Sequence, residues 1–279
     1  MNNKKIKQGM ICFCLLNVLT VLTNSANAEI HFDKNNTKYY NYKIYSQEEF
    51  TKEPESMDVT YDGNFEYQDV IYNFNGTDIH IKIGRNLKGV PYNMEIRDQL
   101  INQLLNTLDN IDPRFLDVIF GDGFNNYIEL TEQNEFGGVN AASYKRSADS
   151  IKVSTNNYLY GSEAYYGTEI LIHEMCHKLD ACLAKMVLLD NGVTDVDASM
   201  YSKSPNWYKL FEENKGVIEP ILTNGYAEIP SVVEFFAEVG TAYFCVPEKL
   251  KMVCPDAYNL FDKALNQAYE LKAKLGKKL

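Results

Sequence analysis

The sequence predicts an α+β fold, with a small mixed sheet built early in the chain and a mostly helical C-terminal half. Three patterns carry this prediction. Isoleucines alternate with polar residues at 79–83, apolar residues recur at three- and four-residue spacing from 96 onward, and strands precede most of the helices. The chain has 279 residues, of which 45% are hydrophobic, so one large domain or two small ones can bury a real core. This composition excludes disorder and collagen-like repeats, and a formal charge of −11 argues against binding nucleic-acid phosphates through Lys and Arg.

Residues 1–28 read as a signal peptide. Lys4, Lys5 and Lys7 form a basic head, an apolar run extends from Met10 to about Leu22, and Ala26-Asn27-Ala28 is a small-x-small cleavage site. The run is too short for a membrane anchor, so the expectation is a secreted protein cut after Ala28, with no stable membrane insertion. Cleavage removes three lysines and no acid, which leaves the mature chain still more acidic. Four cysteines remain, Cys176, Cys182, Cys245 and Cys254, and their spacing leaves open whether they are buried thiols or disulfides.

Residues 29–90 form a β-rich N-terminal segment, with turn signals at Asp62-Gly63-Asn64 and Asn75-Gly76. Ile79, Ile81 and Ile83 mark a half-buried strand that puts His80 on its polar face. From 91 to 279 a second region follows. Ile96, Leu100, Leu104 and Leu108 predict a helix over 92–110, ended by Pro113. Strands are expected at 127–131 and 150–154, separated by a loop around Gly137-Gly138 that carries Tyr144, Lys145 and Arg146. Helices are expected over 168–186, 205–214, 230–244 and 256–275, the last closed by Gly276. Trp207, with Tyr208 and Phe211, reads as core. Asp190, Asp195 and Asp197 lack the spacing of an EF-hand calcium loop.

The chemistry concentrates in one pentapeptide, His173-Glu174-Met175-Cys176-His177. On a helix, positions i and i+4 share a face, so both imidazoles can reach one metal ion, with Glu174 beside them. Zinc held by two histidines needs a third protein ligand and keeps its fourth position open for water. A thiolate from Cys176 would close that position. Asp180 and Leu183 stand where a metzincin extension places Gly and His, which excludes that class. Glu234-Phe235-Phe236-Ala237-Glu238 presents two carboxylates at i and i+4 on an apolar helix, where they need a polar partner. Asp180 returns to the face of His173 two turns on. There it can accept a ring N–H from a ligand histidine, bond a neighbour, or form an ordinary salt bridge. Glu238 can likewise fix a histidine tautomer.

GTEILIHEMCHKLD, followed by EFFAE and then KMVCPDAYNLF, resembles the catalytic domain of the anthrax lethal factor family, which includes small secreted Pro-Pro endopeptidases. The resemblance covers about residues 92–275. It implies a zincin-like fold and a secreted zinc metalloendopeptidase of the gluzincin kind, with Zn²⁺ on His173, His177 and Glu234 and with Glu174 as base. Tyr226 matches a tyrosine that stabilises the transition state, with one extra residue before Glu234; a structural role is the alternative. The resemblance further implies that the strand carrying Ile151, Lys152 and Val153 lies along the cleft and pairs with an extended peptide. Pro-Pro cleaving members carry a tryptophan after the second strand, and the stretch near Phe136-Gly137-Gly138 has none. Related toxins reuse the fold in catalytically dead form, so the competing expectation is a toxin-associated module that docks a partner through residues 29–90.

Overall fold

The computed structural model describes residues 50–63, 65–86, 94–131, 142–154, 165–193, 200–219, 221–222 and 229–276. The signal peptide, His31, Asp195, Asp197, the glycines at 137–138 and Tyr226 lie outside them. Six strands form one mixed sheet: β1 (Ser56–Asp62), β2 (Phe65–Phe74), β3 (Thr77–Asn86), β4 (Tyr127–Thr131), β5 (Ala142–Lys145) and β6 (Ser150–Ser154), in the order β1-β2-β3-β4-β6-β5. The two predicted turns each join an antiparallel pair, and positive φ at Gly63, Asn75 and Gly76 is the conformation such short connections require. β3, β4 and β6 run parallel, whereas β5 returns antiparallel to β6. Backbone pairing of β3 with β4 therefore carries the sheet across residue 90 without a break.

One sheet face is apolar. Ile79, Ile81, Ile128, Leu130, Ile151 and Val153 are all but inaccessible and pack into the core with the helices. Each such side chain contributes about 1.5–3 kcal/mol on burial. The opposite face is polar, and His80 on it is partnered: its Nδ1 lies 2.9 Å from Asp69 Oδ1, and its ring sits 4.6 Å from that of Tyr127.

Seven helices follow the early strands: α1 (Met94–Asn110), α2 (Pro113–Phe120), α3 (Tyr165–Asp190), α4 (Pro205–Ile218), α5 (Val232–Cys245), α6 (Pro247–Val253) and α7 (Pro255–Leu275). Pro113 does more than end α1. It opens α2, where its missing N–H costs nothing, and Asp112 caps the turn by accepting from Arg114 N. α3 is longer than the periodicity predicted, and every residue from Thr168 to Asp180 is buried, as expected of a helix enclosed on all sides. Trp207 is fully buried against Phe236 at a ring separation of 4.8 Å, but Tyr208, one residue round the helix, is exposed. Cys176, Cys182, Cys245 and Cys254 are buried free thiols. Among the described residues no helix is long and apolar enough to cross a membrane.

The sheet order corrects one expectation. Ile151, Lys152 and Val153 lie on β6, which pairs with β4 on one side and β5 on the other, so its backbone has no free edge for a peptide. Ile151 and Val153 are core residues, and Lys152 reaches Glu129 across the polar face. Among the described residues the edge strands are β1 and β5, the latter in the stretch expected to be loop.

Candidate metal centre

Two buried helices, α3 and α5, bring the candidate ligands together. They approach closely at Gly240, where an added Cβ would meet Cys176 Sγ at 2.5 Å. This contact turns Cys176 against α5. Glu234 stands at the first turn of α5, where Ser231 caps the helix by accepting from Glu234 N. The exposed N–H groups of that turn favour an ionised carboxylate there.

Glu234 Oε2 lies 3.1 Å from His173 Nε2 and 3.4 Å from His177 Nε2. The imidazole rings are nearly perpendicular, with centroids 4.7 Å apart. Among the described residues, His173, His177 and Glu234 form the set whose ligand atoms all fall within 4.8 Å of one another. In a tetrahedral site with bonds of about 2.0–2.1 Å, neighbouring ligand atoms are separated by about 3.3 Å, so the two histidine–glutamate distances suit a zinc-sized ion. Two neutral imidazoles and one carboxylate also suit zinc chemically. The residues fit the group.

The remaining polar residues orient this set. His173 Nδ1 lies 2.9 Å from Glu238 Oε1, which leaves Nε2 for the shared centre. Glu238 Oε2 is buried without a hydrogen-bond partner. Burial opposes a charged His173, but hydrogen bonds to Glu234 and Glu238 outweigh it and push its pKa up to about 10. Burial likewise works to raise Glu234, yet its contacts with both histidines hold it well below the usual carboxylate range.

Glu174 is also buried and lies outside the ligand set. Desolvation raises its pKa, and the two histidines and the backbone N–H of Tyr144 on β5 pull it back. The strand β5 packs against α3. Asp180 is deeply buried and makes no surface salt bridge. Its carboxylate accepts from Ser202 N at 2.7 Å and Ser202 Oγ at 2.5 Å, so it pins the turn before α4. Burial pushes the Asp180 pKa up, and the bonds from Ser202 and the nearby His177 pull it back.

The sequence reading missed Lys178 and Asp149. Lys178 is wholly inaccessible, and its Nζ donates to Asp149 Oδ1 at 2.6 Å and Asp149 O at 2.7 Å. Burial lowers its pKa against the pull of Asp149. A lysine directly after the histidine pair, in an otherwise apolar helix, was the available signal.

The family model of the glucose-regulated metallopeptidases M90 matches residues 125–266, a span that includes β4, the histidine pair and both carboxylates of α5. No curated protein matches the chain. The match upholds the metallopeptidase part of the resemblance drawn above, but it is not to the lethal factor family.

Proposed function

The chain belongs to the M90 family of glucose-regulated metallopeptidases, and from that premise we propose that it is a zinc-dependent endopeptidase with His173, His177 and Glu234 as ligands and Glu174 as base. A metallopeptidase acts on protein or peptide, so its substrate is a polypeptide. One observation carries the finer reading: two histidine Nε2 atoms converge on one Glu234 oxygen, with Glu174 buried beside them on the same helix.

His173, His177 and Glu234 would hold a zinc ion, which would supply Lewis-acid chemistry and make an attacking water more acidic. Glu174 then accepts the proton of the attacking water and returns it to the leaving amine. Its burial, which raises its pKa, suits a group that must hold a proton between the two steps. Glu238 keeps His173 in the tautomer that offers Nε2. Tyr226 is proposed as the hydroxyl that steadies the developing oxyanion.

The substrate strand is assigned to the β5 edge. Because Tyr144 N–H points away from β6 toward Glu174, the alternation of an antiparallel ladder also leaves the N–H and C=O of Ala142 on the open side. An extended peptide could pair there by its backbone, with selectivity left to the surrounding loops. Export after Ala28 belongs to the same proposal and is tested by N-terminal sequencing of exported protein; a peptide-library cleavage profile reads which bonds the enzyme prefers. A partner-binding module docking through residues 29–90 would need neither the converging ligands nor a buried glutamate beside them.

The test is Glu174→Gln. Because Glu174 is not a ligand, the variant should retain zinc and lose nearly all peptide cleavage, a fall of about 10²–10⁴ in kcat. An active Glu174→Gln enzyme would remove Glu174 from the mechanism.

A further inference from the structure

Asp149 sits between two elements that meet at Glu174. It follows the short turn Arg146–Ala148 after β5 and takes the left-handed conformation, with φ +47° and ψ +40°. That conformation directs both its carbonyl and its carboxylate toward Lys178 Nζ, the first at 2.7 Å and the second at 2.6 Å. The same Oδ1 accepts from the Tyr144 hydroxyl at 2.9 Å, and Oδ2 accepts from Asn125 N at 2.7 Å. Lys178 also lies 5.8 Å from the Tyr144 ring centroid and 5.4 Å from that of Phe120. A buried cation one residue beyond His177 is thereby tied, through one carboxylate, to Tyr144 on the strand that packs against α3.

We propose that Asp149 is a positioning residue: by linking Lys178 on α3 to Tyr144 on β5, it holds β5 against α3 and keeps the Tyr144 backbone beside the Glu174 carboxylate. This rests on the assignment of Glu174 as base. Among the described residues β5 is hydrogen-bonded in the sheet to β6 alone, along four residue pairs, and the last of them adjoins the turn. The network does not touch the three ligand atoms, so its loss should leave the metal in place. What changes is the aim of one carboxylate, and displacements near 1 Å at such a group cost large factors in rate.

The test uses zinc-loaded full-length protein and two variants. Asp149→Asn removes the charge that partners buried Lys178 and is expected to melt earlier. Tyr144→Phe removes only the hydroxyl link and keeps the ring, so it should fold normally. The probe is an internally quenched peptide selected from a mixed-sequence library because the wild-type enzyme cleaves it. Both variants should bind zinc as the wild type does, with kcat lowered about tenfold to a hundredfold, a smaller change in KM, and faster amide exchange at Tyr144. Wild-type kcat and wild-type exchange at Tyr144 in Tyr144→Phe would overturn the proposal. So would a rise in KM alone, which would assign the strand to substrate and not to the base, or a loss of zinc in both variants, which would assign the network to folding. Glu174→Gln separates the two levels. If that variant is inactive while Tyr144→Phe is unaffected, the base stands and Asp149 does not position it; if Glu174→Gln is active, the base assignment itself fails.

Discussion

Gly240→Ala isolates the contact on which the metal centre depends. The methyl group would lie 2.5 Å from Cys176 Sγ and 2.6 and 2.7 Å from two Phe261 ring carbons. Non-bonded carbons sit about 3.5–4.0 Å apart, so these neighbours must retreat by about 1 Å. Both are fully buried, and the interior has no room to give. Overpacking of this kind costs about 1–3 kcal/mol, whereas alanine gains about 1 kcal/mol over glycine in helix propensity. With both neighbours fully buried the clash wins, leaving a net loss of up to about 2 kcal/mol and a melting temperature lower by up to about 8 °C. Because α3 carries the histidines and α5 carries Glu234, prying the helices apart should also weaken zinc binding. Gly216→Ala is the control: it lies in α4 with nothing within 4 Å of the added carbon, so it should stabilise by about 0.5–1 kcal/mol. The assay is thermal unfolding of both variants with and without zinc, alongside zinc titration. If Gly240→Ala melts at or above the wild type and binds zinc equally well, the close approach of α3 and α5 does not set the site.

Three further outcomes follow from the geometry. Glu238→Gln should weaken zinc affinity about 10–100-fold, read by competition with a chelating dye, because His173 Nδ1 loses its charged acceptor; unchanged affinity would show that the orientation of His173 is fixed elsewhere. Ala142→Pro removes a backbone N–H from the free edge of β5, where proline is tolerated, and should raise KM with zinc retained; an unaltered KM would place the substrate elsewhere. Tyr226→Phe should lower kcat by about 10²–10³ with little change in KM if its hydroxyl steadies the oxyanion, and a wild-type kcat would leave it a structural tyrosine.

The helices around the centre were legible because period and chemistry agreed. The HExxH spacing in α3 and the paired glutamates of α5 each place polar groups on one face of an apolar helix, and the structure brings those faces together. β3 was equally plain, since Ile79, Ile81 and Ile83 are buried on one side only. β1 does alternate, Met57, Val59 and Tyr61 against Asp58, Thr60 and Asp62, but all seven of its residues are exposed, so that pattern marks no core face. β5 was hidden for a different reason. Four residues with one inward tyrosine are too short for a period to stand out from a glycine-marked loop. Placing the peptide on β6 then failed because hydropathy identifies a strand but not its neighbours, and a buried Ile-x-Val pattern belongs to a strand paired on both sides. Lys178 and Asp149 were invisible as a pair, because 29 residues separate them and only the fold joins them.

The most direct measurement is the zinc content of the purified protein and of its single-ligand variants after dialysis against a weak chelator. The wild type should hold about one zinc per chain, while His173→Ala, His177→Ala and Glu234→Ala should each lose most of it and remain folded. Full zinc occupancy in both His173→Ala and Glu234→Ala would contradict the assignment of the metal to this site.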